Sequence, residues 1–344
     1  MAHRPRLHEF RLIEQLRRAF GRTGPAVVRG IGDDAAIITP ARGRQLILTT
    51  DLLIEGVHFD LRTSSFEDVG YKAAIANLSD IAAMGARPEQ ALVSIALPPS
   101  CTAAQVLRLY KGIMAACRPH RVALIGGDTS ASRHGLFLSL TVTGSVPSGA
   151  ALRRDGARAG DLLYVTGTLG DSLAGLKLLS RRERSAGPLK ASARRFLIER
   201  HRRPIAQVRL GQTMSALRAA SAAIDLSDGL SGDLRHLCEQ SGVGAELDAA
   251  ALPLSPALQA YARSSRADPV ALALQGGEDY ELLLAVPPAK RRVVQHAARR
   301  TGRRVTCVGV LRPQAFGLRI REITGRLRRL PVTSYVHFYT APPE

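Results

Sequence analysis

Residues 136–144 read LFLSLTVTG, and their alternation of apolar and polar side chains predicts a β-strand with one buried face. Three shorter apolar runs, each stopped by polar residues or glycine, predict strands over 45–50, 91–97 and 122–125. Helical patterns lie between them, over 67–84 and 102–117. Strands and helices do not alternate one for one, so we expect an α/β fold of the mixed, α+β kind.

A stretch rich in proline, glycine and charge, residues 145–161, separates this half of the chain from a second half with the same mixed pattern. In that second half, strands are predicted over 162–166, 222–226, 281–286 and 305–311, and helices over 172–179, 230–240 and 289–300. We therefore place two domains at 1–150 and 151–344, which suits a chain of 344 residues.

The composition is that of a globular protein, with 45% hydrophobic and 22% charged residues. The four cysteines, Cys101, Cys117, Cys238 and Cys307, are far apart and form no CxxC pair. This spacing disfavours zinc ribbons and fits a reducing compartment. We find no signal-peptide core and no run of about 18 apolar residues, so we expect no membrane association and a cytoplasmic location.

The formal net charge of +19 has two interpretations. A basic surface can attract anionic small substrates, or it can bind nucleic acid. The charge is densest over 180–203 and 298–304, where Phe196 is the one aromatic residue, and no nucleic-acid module is recognised. We favour a solvated basic surface and do not expect a nucleic-acid partner.

Acids are the scarcer charge, 29 against 48 basic residues, and many of them stand in turns of small residues. Residues 46–51 (LILTTD), 122–128 (VALIGGD) and 222–225 (AAID) each place an aspartate directly after an apolar run, where we expect the strand to end. Carboxylates gathered at strand ends repel one another unless a cation binds. A single aspartate turn is usually structural, but the repetition favours a metal and phosphate site.

The ligand types in these turns are aspartate, threonine and serine, without cysteine or histidine, which favours Mg²⁺ over zinc. The P-loop pattern GxxxxGK[ST] is absent, so a P-loop is excluded. Phosphoryl transfer depends on positioning and charge neutralisation, and an acceptor that is already a phosphate monoester needs no general base. A site rich in metal ligands without an obvious base fits such an acceptor.

Seven motifs occur in a recognisable order: GIGDDAAI (30–37), TTDLLIEGVHF (49–59), NLSDIAAMGA (77–86), LIGGDT (124–129), LRRDGARAGDLLYVTGTLGDSLAGL (152–176), IDLSDGL (224–230) and GGEDYEL (276–282). Together they resemble the thiamine-monophosphate kinase family of the aminoimidazole ribonucleotide synthetase-like superfamily, over residues 10–338. The resemblance implies a two-domain fold of that superfamily. Its N-terminal domain would bind ATP and Mg²⁺ and form a homodimer with a barrel-like sheet, and its C-terminal domain would complete the substrate site.

The implied reaction is direct in-line transfer from ATP to thiamine monophosphate, which gives ADP and thiamine diphosphate in the last step of thiamine diphosphate biosynthesis. Residue roles follow from the matching motif positions. Mg²⁺ would be held by Asp33, Thr49, Asp51, Asp80, Asp128, Asp225 and Asp228, with Asp51, Asp128 and Asp228 as the catalytic members. ATP would contact Thr50, Tyr110, Gly127, Arg154 and Ser227. The thiamine part would contact His58, Glu278 and Tyr335, although residues 334–338 (SYVHF) depart from the family's GYDHF-like motif.

Two alternatives remain. One is another enzyme of the superfamily: a selenophosphate synthetase needs a reactive cysteine near its N-terminus, and the first cysteine here is Cys101, whereas an aminoimidazole ribonucleotide-type substrate stays open. The other is a basic nucleic-acid-binding module, which predicts salt-sensitive binding that survives loss of the acidic turns.

Overall fold

The computed structural model describes residues 9–21, 26–29, 37–39, 41–180, 188–333 and 335. The chain divides into two compact units, Met1–Ala151 and Leu152–Glu344, which we call the first and second unit. Both contain helices and sheets, so the predicted mixed α/β class is confirmed. Within the described residues, no helix is both long and apolar enough to cross a membrane.

The first unit contains a four-stranded sheet and two long helices. Its elements are α1 (Glu9–Phe20), β1 (Val27–Arg29), β2 (Ile37–Ile38), β3 (Arg44–Ile54), α2 (Phe66–Ala83), β4 (Arg87–Leu97), α3 (Ala103–Cys117), β5 (Ala123–Ala131) and β6 (Phe137–Pro147). The sheet has the order β3-β6-β4-β5, in which only the β4–β5 pair is parallel, while β1 and β2 pair separately.

Helices α2 and α3 pack closely on each other because two glycines lie at their contact. A Cβ on Gly70 would come within 2.0 Å of the Leu109 backbone oxygen, and a Cβ on Gly112 within 1.9 Å of the Glu67 backbone oxygen. Capping boxes begin both helices, from Ser65 for α2 and Thr102 for α3. Helix α2 then covers one face of the sheet, and the side chains of residues 138, 140 and 142 are fully buried there.

The other face of β3 carries leucines that are exposed in the single chain. Leu46, Leu48 and Leu52 are 43%, 64% and 52% exposed, and they alternate with residues that face the helices. The strand predicted over 45–50 is longer at both ends in the structure, where β3 runs over Arg44–Ile54. Apolar residues occur on both faces of β3, which is unusual for a strand with one solvated face.

The second unit is built around a seven-stranded sheet. Its elements are β7 (Leu162–Thr166), α4 (Asp171–Leu179), α5 (Ala191–Arg202), α6 (Val208–Ala216), β8 (Ala222–Leu226), α7 (Leu230–Ser241), β9 (Val243–Asp248), α8 (Pro256–Ser265), α9 (Pro269–Gln275), β10 (Glu281–Val286), α10 (Arg291–Thr301), β11 (Val305–Pro313), β12 (Leu318–Arg321) and β13 (Leu327–Arg329). The strand order is β13-β12-β9-β11-β7-β10-β8, with only the β12–β9 pair parallel. Strands β7, β10 and β8 are buried almost throughout. They are neighbours in the sheet, so the loops at their ends lie close together.

Candidate active site

The aspartates expected at strand ends lie inside strands instead. Asp51 is within β3, Asp128 within β5 and Asp225 within β8, so the prediction that they follow the strand ends is wrong. The reason is pairing: residues 52–54 continue the ladder with β6, and residues 129–131 continue the ladder with β4. Inter-strand hydrogen bonding there outweighs the turn tendency of glycine and aspartate.

Asp51 and Asp80 form an acidic pair between β3 and α2. The Thr49 hydroxyl donates to Asp80 Oδ2 at 2.5 Å, so these three residues lie on the helix-facing side of the sheet. Burial, and then the neighbouring Asp80 carboxylate, raise the pKa of Asp51 to about 7. Asp51 Oδ2 is buried and has no hydrogen-bond partner among the described residues. A buried carboxylate oxygen without a donor is unfavourable unless something binds it.

These residues fit a magnesium ion. Thr49, Asp51 and Asp80 offer only oxygen donors, and a cation would both satisfy Asp51 Oδ2 and remove the repulsion within the pair. Within the described ranges, however, no three His, Cys, Asp or Glu side chains gather as a complete metal site. Asp33, the remaining predicted ligand near the chain's start, lies outside the described residues.

The structure does not bring Asp128 to this pair. Asp51 is on edge strand β3 and Asp128 on the opposite edge strand β5, three strand spacings or about 14 Å away. Across the paired strands Asp128 lies level with Leu52, which directly follows Asp51 in β3. Neighbouring residues of a strand point to opposite faces, so the two aspartates face opposite sides of the sheet. Thr50 faces the Asp128 side as well, where its hydroxyl accepts from that of Thr141 at 3.0 Å.

Three other predicted residues of the first unit have clear local roles. His58 follows β3 in a turn, where its Nδ1 accepts the Ile54 N–H at 3.1 Å, which assigns the ring proton to Nε2. Tyr110 is buried in α3 and its ring stacks on Phe20 with centroids 5.8 Å apart. Gly127 is required by packing, because a Cβ there would lie 1.9 Å from the Val93 backbone oxygen of β4.

In the second unit, three predicted segments come together. Glu278 N–H donates to the Ser227 carbonyl at 2.8 Å, and Tyr335 N–H donates to the Asp228 carbonyl at 3.2 Å. The loop of GGEDYEL, the turn of IDLSDGL and the segment at Tyr335 therefore form one cluster. The Tyr335 side chain is half exposed and that of Glu278 about a quarter exposed, so both can reach a ligand.

Asp233 joins the aspartates of the IDLSDGL turn. Its Oδ2 accepts the N–H groups of Asp228 and Gly229 at 3.2 and 3.0 Å and so fixes the turn before α7. Burial raises the pKa of Asp233 to about 8, and the carboxylates of Asp225 and Asp228 add to the rise. Asp233 thus has two further carboxylates, those of Asp225 and Asp228, within electrostatic reach, and such repulsion would be relieved by a cation in this turn. Sequence reasoning missed Asp233, although it stands only three positions after the last residue of the IDLSDGL motif.

A buried charged network lies under the GGED loop. Asp279 accepts the N–H groups of Gly170 and Ser172 at 2.6 and 3.1 Å, at the start of α4. Burial, and then Asp171, raise the pKa of Asp279 to about 8. Glu281 accepts from Arg200 at 2.9 Å, and also from Thr166 at 2.5 Å and Gln207 at 2.8 Å.

Sequence reasoning missed this network as well. The available signal was the acidic triplet Glu278, Asp279 and Glu281, in which only the first was assigned a role. Arg154, the predicted phosphate contact, is exposed, and within the described chain its guanidinium makes no ion pair. An exposed arginine without an internal partner is available to an anionic ligand.

Comparisons with known proteins cover both units. Residues 32–146 match the family AIR synthase related protein, N-terminal domain, and residues 158–318 match AIR synthase related protein, C-terminal domain. The thiamine-monophosphate kinase of Salmonella typhimurium is 39% identical over 319 residues, which is 91% of this chain and 93% of that protein.

Solved structures agree with these matches. The crystal structure of thiamine-monophosphate kinase from Stenotrophomonas maltophilia has a TM-score of 0.80 and 37% identity, over 93% of this chain and 98% of that one. AaThiL complexed with AMPPCP and TMP has a TM-score of 0.75 and 34% identity, over 98% and 100% of the two chains. These matches extend over nine-tenths of the chain and include both domains and the acidic motifs. The chain therefore belongs to the thiamine-monophosphate kinase family.

Proposed function

We propose that the protein transfers the γ-phosphoryl group of ATP to thiamine monophosphate and releases thiamine diphosphate and ADP. The observation that carries this proposal is 39% identity to a thiamine-monophosphate kinase over nine-tenths of both chains. The complex of AaThiL with AMPPCP, an ATP analogue, and TMP supports the choice of both substrates.

The chemistry needs no protein base. An oxygen of the thiamine monophosphate phosphate, anionic near neutral pH, attacks the γ-phosphorus, and the bond to the β–γ bridging oxygen breaks so that its electrons leave with ADP. Magnesium, when bound, would supply charge neutralisation on the transferred phosphoryl group. The protein's part is then to bind and orient the two phosphate chains.

Both units contain candidate magnesium ligands. Thr49, Asp51 and Asp80 would hold the ion in the first unit, supported by Asp51 Oδ2, which has no hydrogen-bond partner in the described part of the chain. In the second unit Asp225 and Asp228 would do so, supported by their electrostatic contact with Asp233. The further proposed ligands are Asp33 and Asp128, of which Asp128 would hold a different ion from Asp51, because the two aspartates face opposite sides of the sheet. Asp51, Asp128 and Asp228 are proposed as the catalytic members.

The remaining roles follow the family resemblance. ATP would contact Thr50, Tyr110, Gly127, Arg154 and Ser227, and thiamine monophosphate would contact His58, Glu278 and Tyr335. The neutral His58 ring and the partly exposed Glu278 carboxylate support the second set. Tyr110, buried against Phe20, and Gly127, close to the β4 backbone, also have packing roles, so we expect substitutions there to affect stability as well as ATP binding.

The proposed assembly is a homodimer formed through the exposed face of β3. Leu46, Leu48 and Leu52 form an apolar stripe on that face, and such stripes are typical of interfaces. Joining two such faces would produce the barrel-like sheet that the resemblance implies. The cytoplasmic location stays a prediction.

A direct assay tests the reaction. Purified protein is incubated with ATP, Mg²⁺ and thiamine monophosphate, and thiamine diphosphate is quantified by chromatography. We expect product that requires Mg²⁺, disappears in Asp51→Asn and persists in Asp60→Asn, since Asp60 pairs with exposed Arg62 away from these ligands. A folded protein that binds ATP yet forms no thiamine diphosphate would refute the substrate, and aminoimidazole ribonucleotide-type substrates would be assayed next.

A further inference from the structure

His201 lies directly beside the proposed substrate residue Glu278. It is in the last turn of α5, its side chain is 7% exposed, and its Nδ1 lies 3.4 Å from Glu278 Oε2. The same nitrogen is 3.1 Å from Ser172 Oγ at the start of α4. A buried histidine is therefore held between the first turn of one helix and the carboxylate of Glu278.

The approach of α5 to α4 depends on a glycine. A Cβ on Gly175 would lie 2.1 Å from the Leu197 backbone oxygen and 2.9 Å from the His201 Cβ. With hydrogen at that position, α5 reaches α4 closely enough for His201 to contact Ser172 and Glu278. The contact is thus a consequence of helix packing rather than of a mobile surface side chain.

The backbone of the GGED loop is fixed independently of His201. Glu278 and Tyr280 have φ values of 62° and 51°, which are unfavourable for residues with a side chain. Their N–H groups donate to the carbonyls of Ser227 and Leu226 at the end of β8, and the buried Asp279 between them accepts the N–H groups of Gly170 and Ser172 at the start of α4. The loop is therefore rigid, and what remains to be set is the direction of the Glu278 carboxylate.

The hydrogen-bonding capacity of Glu278 and Ser172 determines which nitrogen of His201 carries the proton. A carboxylate only accepts, so a favourable contact with Glu278 requires a proton on His201 Nδ1. The Ser172 hydroxyl then accepts from the same N–H or donates to Glu278 itself. Either arrangement makes Nδ1–H the donor that orients the carboxylate.

We propose that His201 is a positioning residue that orients Glu278 toward thiamine monophosphate and so sets the affinity for that substrate. The inference rests on the proposed function, since it assumes that Glu278 contacts the substrate. It assigns His201 no contact with ATP or with the reacting phosphates.

Steady-state kinetics on the full chain test the proposal, with His201→Leu removing the donor and His201→Asn placing an amide N–H near the position of Nδ1. We expect His201→Leu to raise the KM for thiamine monophosphate about tenfold, the size expected for one hydrogen bond to a charged group. The KM for ATP should change less than about twofold. His201→Asn should restore most of the affinity, whereas His201→Gln, whose amide lies near the position of Nε2, should not.

A double-variant cycle separates this role from a purely structural one. In a Glu278→Gln background, which itself raises the KM for thiamine monophosphate, adding His201→Leu should change that KM less than about twofold. Equal rises in both KM values, independent effects in the cycle, or equal loss in the Asn and Gln variants would overturn the proposal. If His201→Leu does not fold, the comparison of Asn with Gln decides alone.

The activity of the unsubstituted enzyme separates a failure of the proposed function from a failure of the proposed role of His201. A parent that forms no thiamine diphosphate refutes the proposed function and this inference with it. An active parent in which Glu278→Gln leaves the KM unchanged refutes this inference only, because His201 would then have no substrate contact to orient.

Discussion

Replacing Arg200 with methionine should destabilise the second unit strongly. The Arg200 guanidinium is 2.9 Å from Glu281, and the two side chains are 12% and 2% exposed. Removing one partner of a buried ion pair typically costs about 3–5 kcal/mol, because the other charge is left uncompensated. Glu281 would keep its hydrogen bonds from Thr166 and Gln207, so we expect the lower end, about 3 kcal/mol.

Thermal unfolding measures the effect. For a unit of this size, about 3 kcal/mol corresponds to a fall in Tm of about 6–12 °C. Arg195→Met is the matched control, since Arg195 is an exposed arginine of the same helix, and it should shift stability by less than about 0.5 kcal/mol. Adding Glu281→Gln to Arg200→Met should restore part of the loss, because the uncompensated charge is removed.

The loss should also depend on pH. Burial raises the pKa of Glu281, and removing the opposing Arg200 raises it further. A carboxyl whose folded pKa exceeds its unfolded value, about 4.3, stabilises the folded state most below that value and loses this contribution as pH rises through the folded pKa. The deficit of Arg200→Met should therefore be smaller at pH 5 than at pH 8. A deficit equal to that of Arg195→Met, or one independent of pH, would refute the reasoning.

Three further predictions concern the first unit. Asp51→Asn should abolish product formation yet leave the metal-free Tm unchanged or higher, because it removes a buried charge; a clear fall in Tm would contradict this. Gly127→Ala should lose about 2 kcal/mol or more in denaturant unfolding, since its Cβ would meet the β4 backbone at 1.9 Å, whereas Gly149→Ala, with open space around it, should lose about 1 kcal/mol. Leu48→Glu should give a monomer in sedimentation measurements, whereas the control Ile323→Glu, at an even more exposed apolar residue of the second unit, should give a dimer; a dimeric Leu48→Glu variant would exclude this face as the interface.

Periodicity located most of the elements of the first unit because its pattern is strong. The run over 91–97 and the helical stretch over 102–117 correspond to β4 and α3 within a few residues. The end of β3 was predicted too early, because Thr49, Thr50 and Asp51 interrupt an apolar run and suggest a turn. Only pairing with β6, a contact distant in sequence, carries the strand past them.

The buried charges of the second unit could not be predicted by the same means. Residues 180–203 were interpreted as a solvated basic face, and Arg194 and Arg195 of α5 are indeed exposed. Arg200 and His201 are covered instead, as Arg202 is in part, and nothing in the local sequence distinguishes Arg200 from Arg194 or Arg195. The burial of Arg200 and His201 is determined by Gly175 on α4 and by the acids of the GGED loop, which are distant in sequence.

The carboxylates of this protein differ in how completely their oxygens are satisfied, and the difference separates scaffold from ligand site. Asp279 and Glu281 are buried and accept from backbone N–H groups, Arg200, Thr166 and Gln207. Asp51 is buried too, yet its Oδ2 has no donor among the described residues and its nearest charge is another carboxylate. Because buried acids are satisfied in the second unit and Asp51 Oδ2 has no partner among the described residues of the first, the contrast supports the proposal that a bound cation completes this position. The motif positions assigned Asp51 to a metal ion and gave Asp279 and Glu281 no role, and hydrogen bonding independently indicates Asp51 as the residue at which metal binding should be tested first.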